Sequence, residues 1–179
     1  WGNPEAYGAG KAKDQQFFHQ HDAQWIARDC PGAGNFLVFN NGETRPESEY
    51  STVDEIQPPG KGDGVYPGEK GKAWGPKDKS WKYEAPNPTD FYAYFISGAQ
   101  RLPNGNTLVC DGPRGTFFEV TPEGEPVWKY VNPVWMGGTL AQGEALPVGA
   151  GGSRNHVFKI RRYAPDHPGL VGRDLAPGP

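Results

Sequence analysis

The chain has a single methionine, only two cysteines and a net charge of just -3, and these shortages narrow the classes of function open to it. Cys30 and Cys110 form no CxxC pair, and none of the four histidines stands at zinc-site spacing from them. His19 and His21 share a strand face without a carboxylate in register, so neither a metal nor a cofactor is expected. The 18 basic and 21 acidic residues are scattered in both signs, which leaves no basic stripe for nucleic acid. No apolar run approaches the roughly 18 residues of a membrane helix, so no membrane span is expected. No leader sequence opens the chain, and Trp1 in place of Met suggests that the start is missing or processed. No window of three helical turns keeps an apolar stripe free of Gly or Pro, so helix content should be low.

What the chain does have is glycine, proline and aromatic rings: 26 Gly, 19 Pro and 13% Phe, Trp and Tyr suit short strands joined by tight turns. It also has a near-repeat. One copy runs through Asp22-Ala23-Gln24-Trp25, Asn35-Phe36-Leu37-Val38-Phe39-Asn40, Val53-Asp54-Glu55-Ile56 and Trp81-Lys82-Tyr83. The second runs through Ser97-Gly98-Ala99-Gln100, Asn106-Thr107-Leu108-Val109-Cys110-Asp111-Gly112, Phe117-Phe118-Glu119-Val120 and Val127-Trp128-Lys129-Tyr130. Four short strands recurring in one order predict an all-β chain of β-propeller blades, each of four antiparallel strands.

Residues 1–20 are expected to end a preceding blade and loop. A first blade spans 21–84 with strands at 21–26, 35–40, 50–57 and 80–84, and carries a long Gly/Pro/Lys-rich insertion at 58–79. A compact second blade spans 95–131, with Asn104-Gly105 and Pro122-Glu123-Gly124 as its turns. A further blade is expected to start at 155–163 and to run into a tail ending at 179, after a Gly-rich loop at 137–153 that includes a flexible Gly149-Ala150-Gly151-Gly152-Ser153 linker. Two whole blades and parts of two more make an incomplete ring, because closure takes at least about four. The remainder would come from the same polypeptide or from another chain.

Three motifs, Gln20-His21-Asp22-Ala23-Gln24-Trp25, Asn40-Asn41-Gly42-Glu43-Thr44-Arg45 with Tyr50-Ser51, and Arg101-Leu102-Pro103-Asn104-Gly105-Asn106-Thr107-Leu108, together resemble the arylsulfotransferase (aryl-sulfate sulfotransferase) family. The ending Arg162-Tyr163-Ala164-Pro165-Asp166-His167-Pro168 is similar to that of short bacterial members. The resemblance implies a six-bladed propeller that moves a sulfuryl group between aryl sulfates and phenols through a channel histidine, with no nucleotide donor and no cofactor. It also implies a periplasmic or secreted protein. His21 matches the sulfate-site histidine and Arg45 the arginine of the Asn-Gly segment. Comparing the two copies adds Arg114 as Arg45's counterpart, and Tyr92 and Tyr94 could line a mouth for an aromatic ring.

The family's nucleophilic histidine is expected on the strand that here reads Ser97-Gly98-Ala99-Gln100, where no histidine stands. Two readings therefore stay open: an enzyme in which His21 is the nucleophile, or a non-catalytic propeller module that binds a ligand or a protein. Gln24 with Gln100, and Trp81 with Trp128, recur in register and are expected to serve packing between blades.

Overall fold

A computed structural model describes residues 1–60, 64–146 and 154–176. The expected Gly149–Ser153 linker lies outside them, as do three residues of the 58–79 insertion. Among the described residues there are ten strands in antiparallel sheets, four short 3₁₀ turns and no α-helix. No helix among the described residues is long and apolar enough to cross a membrane.

Strands β1 (His21–Trp25), β2 (Phe36–Asn40), β3 (Thr52–Ile56) and β4 (Trp81–Tyr83) form one sheet in sequential order. Strands β5 (Gly98–Arg101), β6 (Thr107–Asp111), β7 (Thr116–Val120) and β8 (Pro126–Val131) form a second in the same order. The turns work as their residues require. Gly105, at φ 90°, turns β5 into β6, and Gly124, at φ 89°, turns β7 into β8. Elsewhere the structure departs from expectation. Residues 1–20 contain no strand, and a short hairpin of β9 (Val134–Trp135) and β10 (Gly138–Thr139) begins where only loop was expected. The 155–163 segment is not a strand, although Ser97 N donates to Phe158 O and Val157 N to Gly112 O.

The core lies between the two sheets. Ile26, Leu37, Phe39, Val53 and Tyr83 of the first meet Ala99, Val109 and Val120 of the second, with Phe91 and Ala93 of the connecting loop between them. Phe91 contacts Phe39, Tyr83 and Phe118 at ring-centroid distances of 5.8, 5.7 and 5.4 Å. Burying a ring of this size contributes about 2 to 3 kcal/mol, so the loop plug matters as much as a strand residue. The two sheets do not close into a ring.

The glutamines behave as their recurrence implied. Gln24 Nε2 donates to Ala99 O of the next sheet. Gln100 Nε2 donates to Arg162 O at 3.0 Å and its Oε1 accepts from Arg162 N at 2.7 Å. A second interlock was not visible in the sequence. Glu55 accepts from Asn35 Nδ2 (2.5 Å) and from Arg101 Nη2 (2.7 Å), and the Arg101 guanidinium lies 4.6 Å from the Trp81 ring centre. In the second sheet Glu119 accepts from Asn106 Nδ2 (2.6 Å) and Arg162 Nη1, with Arg162 4.9 Å from the Trp128 ring centre. Each sheet thus holds an arginine from the segment that follows it, through the same Asn, Glu and Trp positions.

Candidate functional site

Strand direction gathers the candidate residues at one end of the sheets. His21 opens β1, the 41–51 loop leaves β2, the 84–97 loop leaves β4, and the 112–115 turn leaves β6. In antiparallel sheets of sequential order these all lie at the same end. Non-glycine residues with positive φ concentrate there: His19 (53°), Asp22 (52°), Thr44 (66°), Ile96 (46°) and Ser97 (87°). Such conformations cost of order 1 to 3 kcal/mol each, so this end of the sheets stores backbone strain that the surrounding packing must hold.

His21 is held by Asn41. The imidazole Nδ1 lies 2.7 Å from Asn41 Oδ1, and Asn41 Nδ2 donates to Ala93 O (2.6 Å) and Ile96 O (2.9 Å). Those two bonds fix which end of the amide is oxygen, so the bond to the ring requires Nδ1 to carry the proton. In the neutral ring Nε2 then keeps its lone pair. Asn41 is fully buried, which makes it a rigid support. Sequence reading placed Asn41 only within a motif. Its signal was a second asparagine following a strand-terminal one, a costly pair to bury without a purpose.

A bulge re-aims the start of β1. His21 pairs with Phe39 and Gln24 with Leu37, so three steps on β1 match two on β2, with Asp22 as the extra residue. Asp22 therefore turns toward the second sheet beside Gln24, where its Oδ2 accepts from Ala99 N (3.3 Å) and Gln24 Nε2 (3.1 Å). Arg161 and Lys159 of the 155–163 segment pair with the same carboxylate at 2.9 and 3.2 Å. Gly98 pairs with Cys110 and Gln100 with Leu108, so the register counterpart of His21 is Gly98. A Cβ there would stand 2.3 Å from Asp22 Oδ2, which leaves no room for any side chain. Ser97 is also committed: fully buried, it accepts from Gly112 N (3.0 Å) and donates to Phe95 O (3.2 Å).

The two arginines differ. Arg45 lies between the rings of Phe18 and Tyr50, 5.2 and 4.2 Å from their centres. Its Nε and Nη2 are buried without a hydrogen-bond partner, and among the described residues no carboxylate pairs with it. Glu43 is taken by His19 at 2.9 Å, and Glu49 by Thr44 N at 2.9 Å and the Tyr92 hydroxyl. Arg114 is instead satisfied by Asp111 (3.1 Å) and by Tyr92 O. The paired registers also make Asp111, not Cys110, the counterpart of Asn40, so Arg114 does not stand where Arg45 does.

Tyr92 and Tyr94 form an aromatic rim, with ring centres 6.4 Å apart. Tyr94 is half-exposed and 4.6 Å from Phe95, whose ring meets His156 at 5.5 Å. Burial, and then the hydrogen bond to Glu49, push the Tyr92 phenol up to about 12. Phe158 meets the His21 ring edge to face at 6.2 Å, a contact that sequence reasoning missed. Among the described residues no group of three or more His, Cys, Asp or Glu is placed to hold a metal ion. No protein-family model, curated protein or solved structure matches this chain.

Proposed function

We propose that the two sheets are blades of a β-propeller and that their loop end binds an aryl sulfate, whose sulfuryl group His21 transfers to a phenol. The observation that carries this reading is the bond from His21 to Asn41, which leaves Nε2 as an available lone pair. A neutral imidazole in this tautomer is the form that nucleophilic attack requires. Nε2 would form a bond to sulfur while the bond from sulfur to the aryl oxygen breaks, releasing phenolate. The acceptor phenol would lose its proton to solvent, and its oxygen would then form the new bond to sulfur as the N–S bond breaks. Asn41 Oδ1, bonded to Nδ1–H, would stabilise the positive ring in between. Arg45 is the cation suited to the sulfate oxygens because, among the described residues, no carboxylate claims it. Tyr94 and Phe158 would flank the aromatic ring.

A second reading, binding without turnover, is favoured by one feature: the second sheet contributes no histidine, and Ser97 is consumed by backbone bonds. A chromogenic aryl sulfate with a phenol acceptor separates the two when wild type, His21→Ala and Arg45→Ala are compared. The transfer reading expects loss of turnover by at least about a hundredfold in His21→Ala, with substrate binding weakened mainly in Arg45→Ala. Equal rates in all three proteins refute it, and retained calorimetric binding without turnover in wild type selects the binding module.

A further inference from the structure

We propose that Lys79 and Asn40 join in an amide cross-link that the chain forms by itself, with Asp54 as the proton carrier. Leu37, Phe39 and Val53 face the second sheet, so by alternation Asn40, at the end of β2, and Asp54, in the middle of β3, face away from it. Lys79 reaches the same place from the insertion. It immediately precedes Ser80, whose N donates to Glu55 O at 2.9 Å and so holds this end of the insertion against β3.

The burial is unusual for a plain ion pair. Asp54 is fully buried and the Lys79 side chain is only 20% exposed, with Nζ 2.7 Å from Asp54 Oδ2. Asp54 Oδ1 is buried without a hydrogen-bond partner. Asp54 pairs with Val38 and Phe118 with Val109, so the counterpart of Asp54 in the second sheet is Phe118. The repeat thus builds the same strand with an apolar ring at this position, and a half-satisfied carboxylate there carries a cost that packing does not explain.

The asparagine is set for attack. Asn40 is fully buried, its Oδ1 accepts from Phe18 N at 2.9 Å, and its Nδ2 donates to Gln16 O at 3.0 Å and to Asp54 Oδ2 at 3.4 Å. Its carbonyl therefore points at a fixed N–H donor, the arrangement that stabilises a developing oxyanion, while the nitrogen that must leave points at the acid. Amine and amide meet on one oxygen of Asp54, which supplies the proximity that free side chains lack. In the reaction Asp54 takes a proton from the Lys79 ammonium, and Nζ attacks Asn40 Cγ. The Nζ–Cγ bond forms and the Cγ–Nδ2 bond breaks as Asp54 relays protons from Nζ to Nδ2. Of the three ammonium protons one stays on the new amide and two leave with Nδ2 as ammonium, so atoms and charge balance without an oxidant or cofactor. The product ties the 58–79 insertion to β2.

Intact-mass spectrometry of the denatured full chain tests this. Wild type should weigh one ammonia less than its sequence requires, and digestion should yield one branched peptide joining the segments that carry Asn40 and Lys79. Lys79→Arg keeps the ion pair, and so the fold, but not the nucleophilic amine, whereas Asp54→Asn keeps the shape but not the proton carrier. Both variants should show the full mass. Full mass in wild type after prolonged incubation at neutral pH, an ammonia loss that persists in either variant, or a branched peptide joining any other pair of residues overturns the proposal.

Discussion

Replacing Glu55 by Gln should be the most damaging single-charge change in the molecule. Glu55 and Arg101 have side chains only 6% exposed, and their 2.7 Å contact joins the third strand of one sheet to the first strand of the next. Burial lowers the Arg101 pKa, and the Glu55 carboxylate opposes that shift, so it is the compensating charge for a guanidinium held out of water. Gln keeps the shape and one acceptor but removes the compensating charge. Breaking a buried pair from one side costs about 3 to 5 kcal/mol, and the retained hydrogen bond places Glu55→Gln near the low end, about 3 kcal/mol. The repeat supplies an internal control. Arg162 in the equivalent pair is 40% exposed, and solvent screening holds the loss from Glu119→Gln to about 1 kcal/mol or less. In urea titrations followed by Trp fluorescence and far-UV circular dichroism, a slope near 2 kcal/mol/M makes 3 kcal/mol a midpoint shift of about 1.5 M. Combining Glu55→Gln with Arg101→Met should recover most of the loss, because the unpaired charge is gone. A Glu55→Gln loss below 1 kcal/mol, or an equal loss from Glu119→Gln, would falsify the argument that burial sets the worth of this interlock.

Two further outcomes follow from individual contacts. Tyr92 should titrate by ultraviolet absorbance at about 12. Its pKa is raised in the fold, so its contribution to stability is complete below the unfolded value of about 10 and is lost as pH rises toward 12. Tyr92→Phe should lessen that alkaline decline, leaving the part due to Cys110 and Tyr83, whose pKa values burial also raises, and an unchanged pH profile would count against the burial of the Tyr92 phenol and its bond to Glu49. Gly98→Ala should cost about 2 kcal/mol by overpacking, because its Cβ would strike the Asp22 carboxylate, which Arg161 and Lys159 hold in place. In an Asp22→Gly background the same change should cost under about 1 kcal/mol, since the obstacle is gone and glycine accepts the φ of 52° at position 22; thermal melts of the four proteins show whether it does.

The strands and their order were legible because period-two alternation, an Asn-Gly turn and two matched copies all state local rules. What escaped depends on residues that meet only in space. The bulge at Asp22 inserts one residue into an otherwise regular alternation, and a reading with period two cannot see it. Without it, His21 aligns with Ser97, and the absent second histidine reads as a lost function. With it, the counterpart is Gly98, whose side-chain space is already filled by Asp22 from the neighbouring sheet. The same logic hid the Arg101 and Arg162 interlocks, whose partners lie 46 and 43 residues away. It also hid the pinning of His21 by Asn41, which requires the carbonyls of Ala93 and Ile96 from a loop the sequence marks only as aromatic. Packing alone thus accounts for the difference between the two copies: a carboxylate that locks the sheets together occupies the place where a second histidine would stand. Under the proposed transfer, the chemistry would rest on His21 and the first sheet, with the second supplying support.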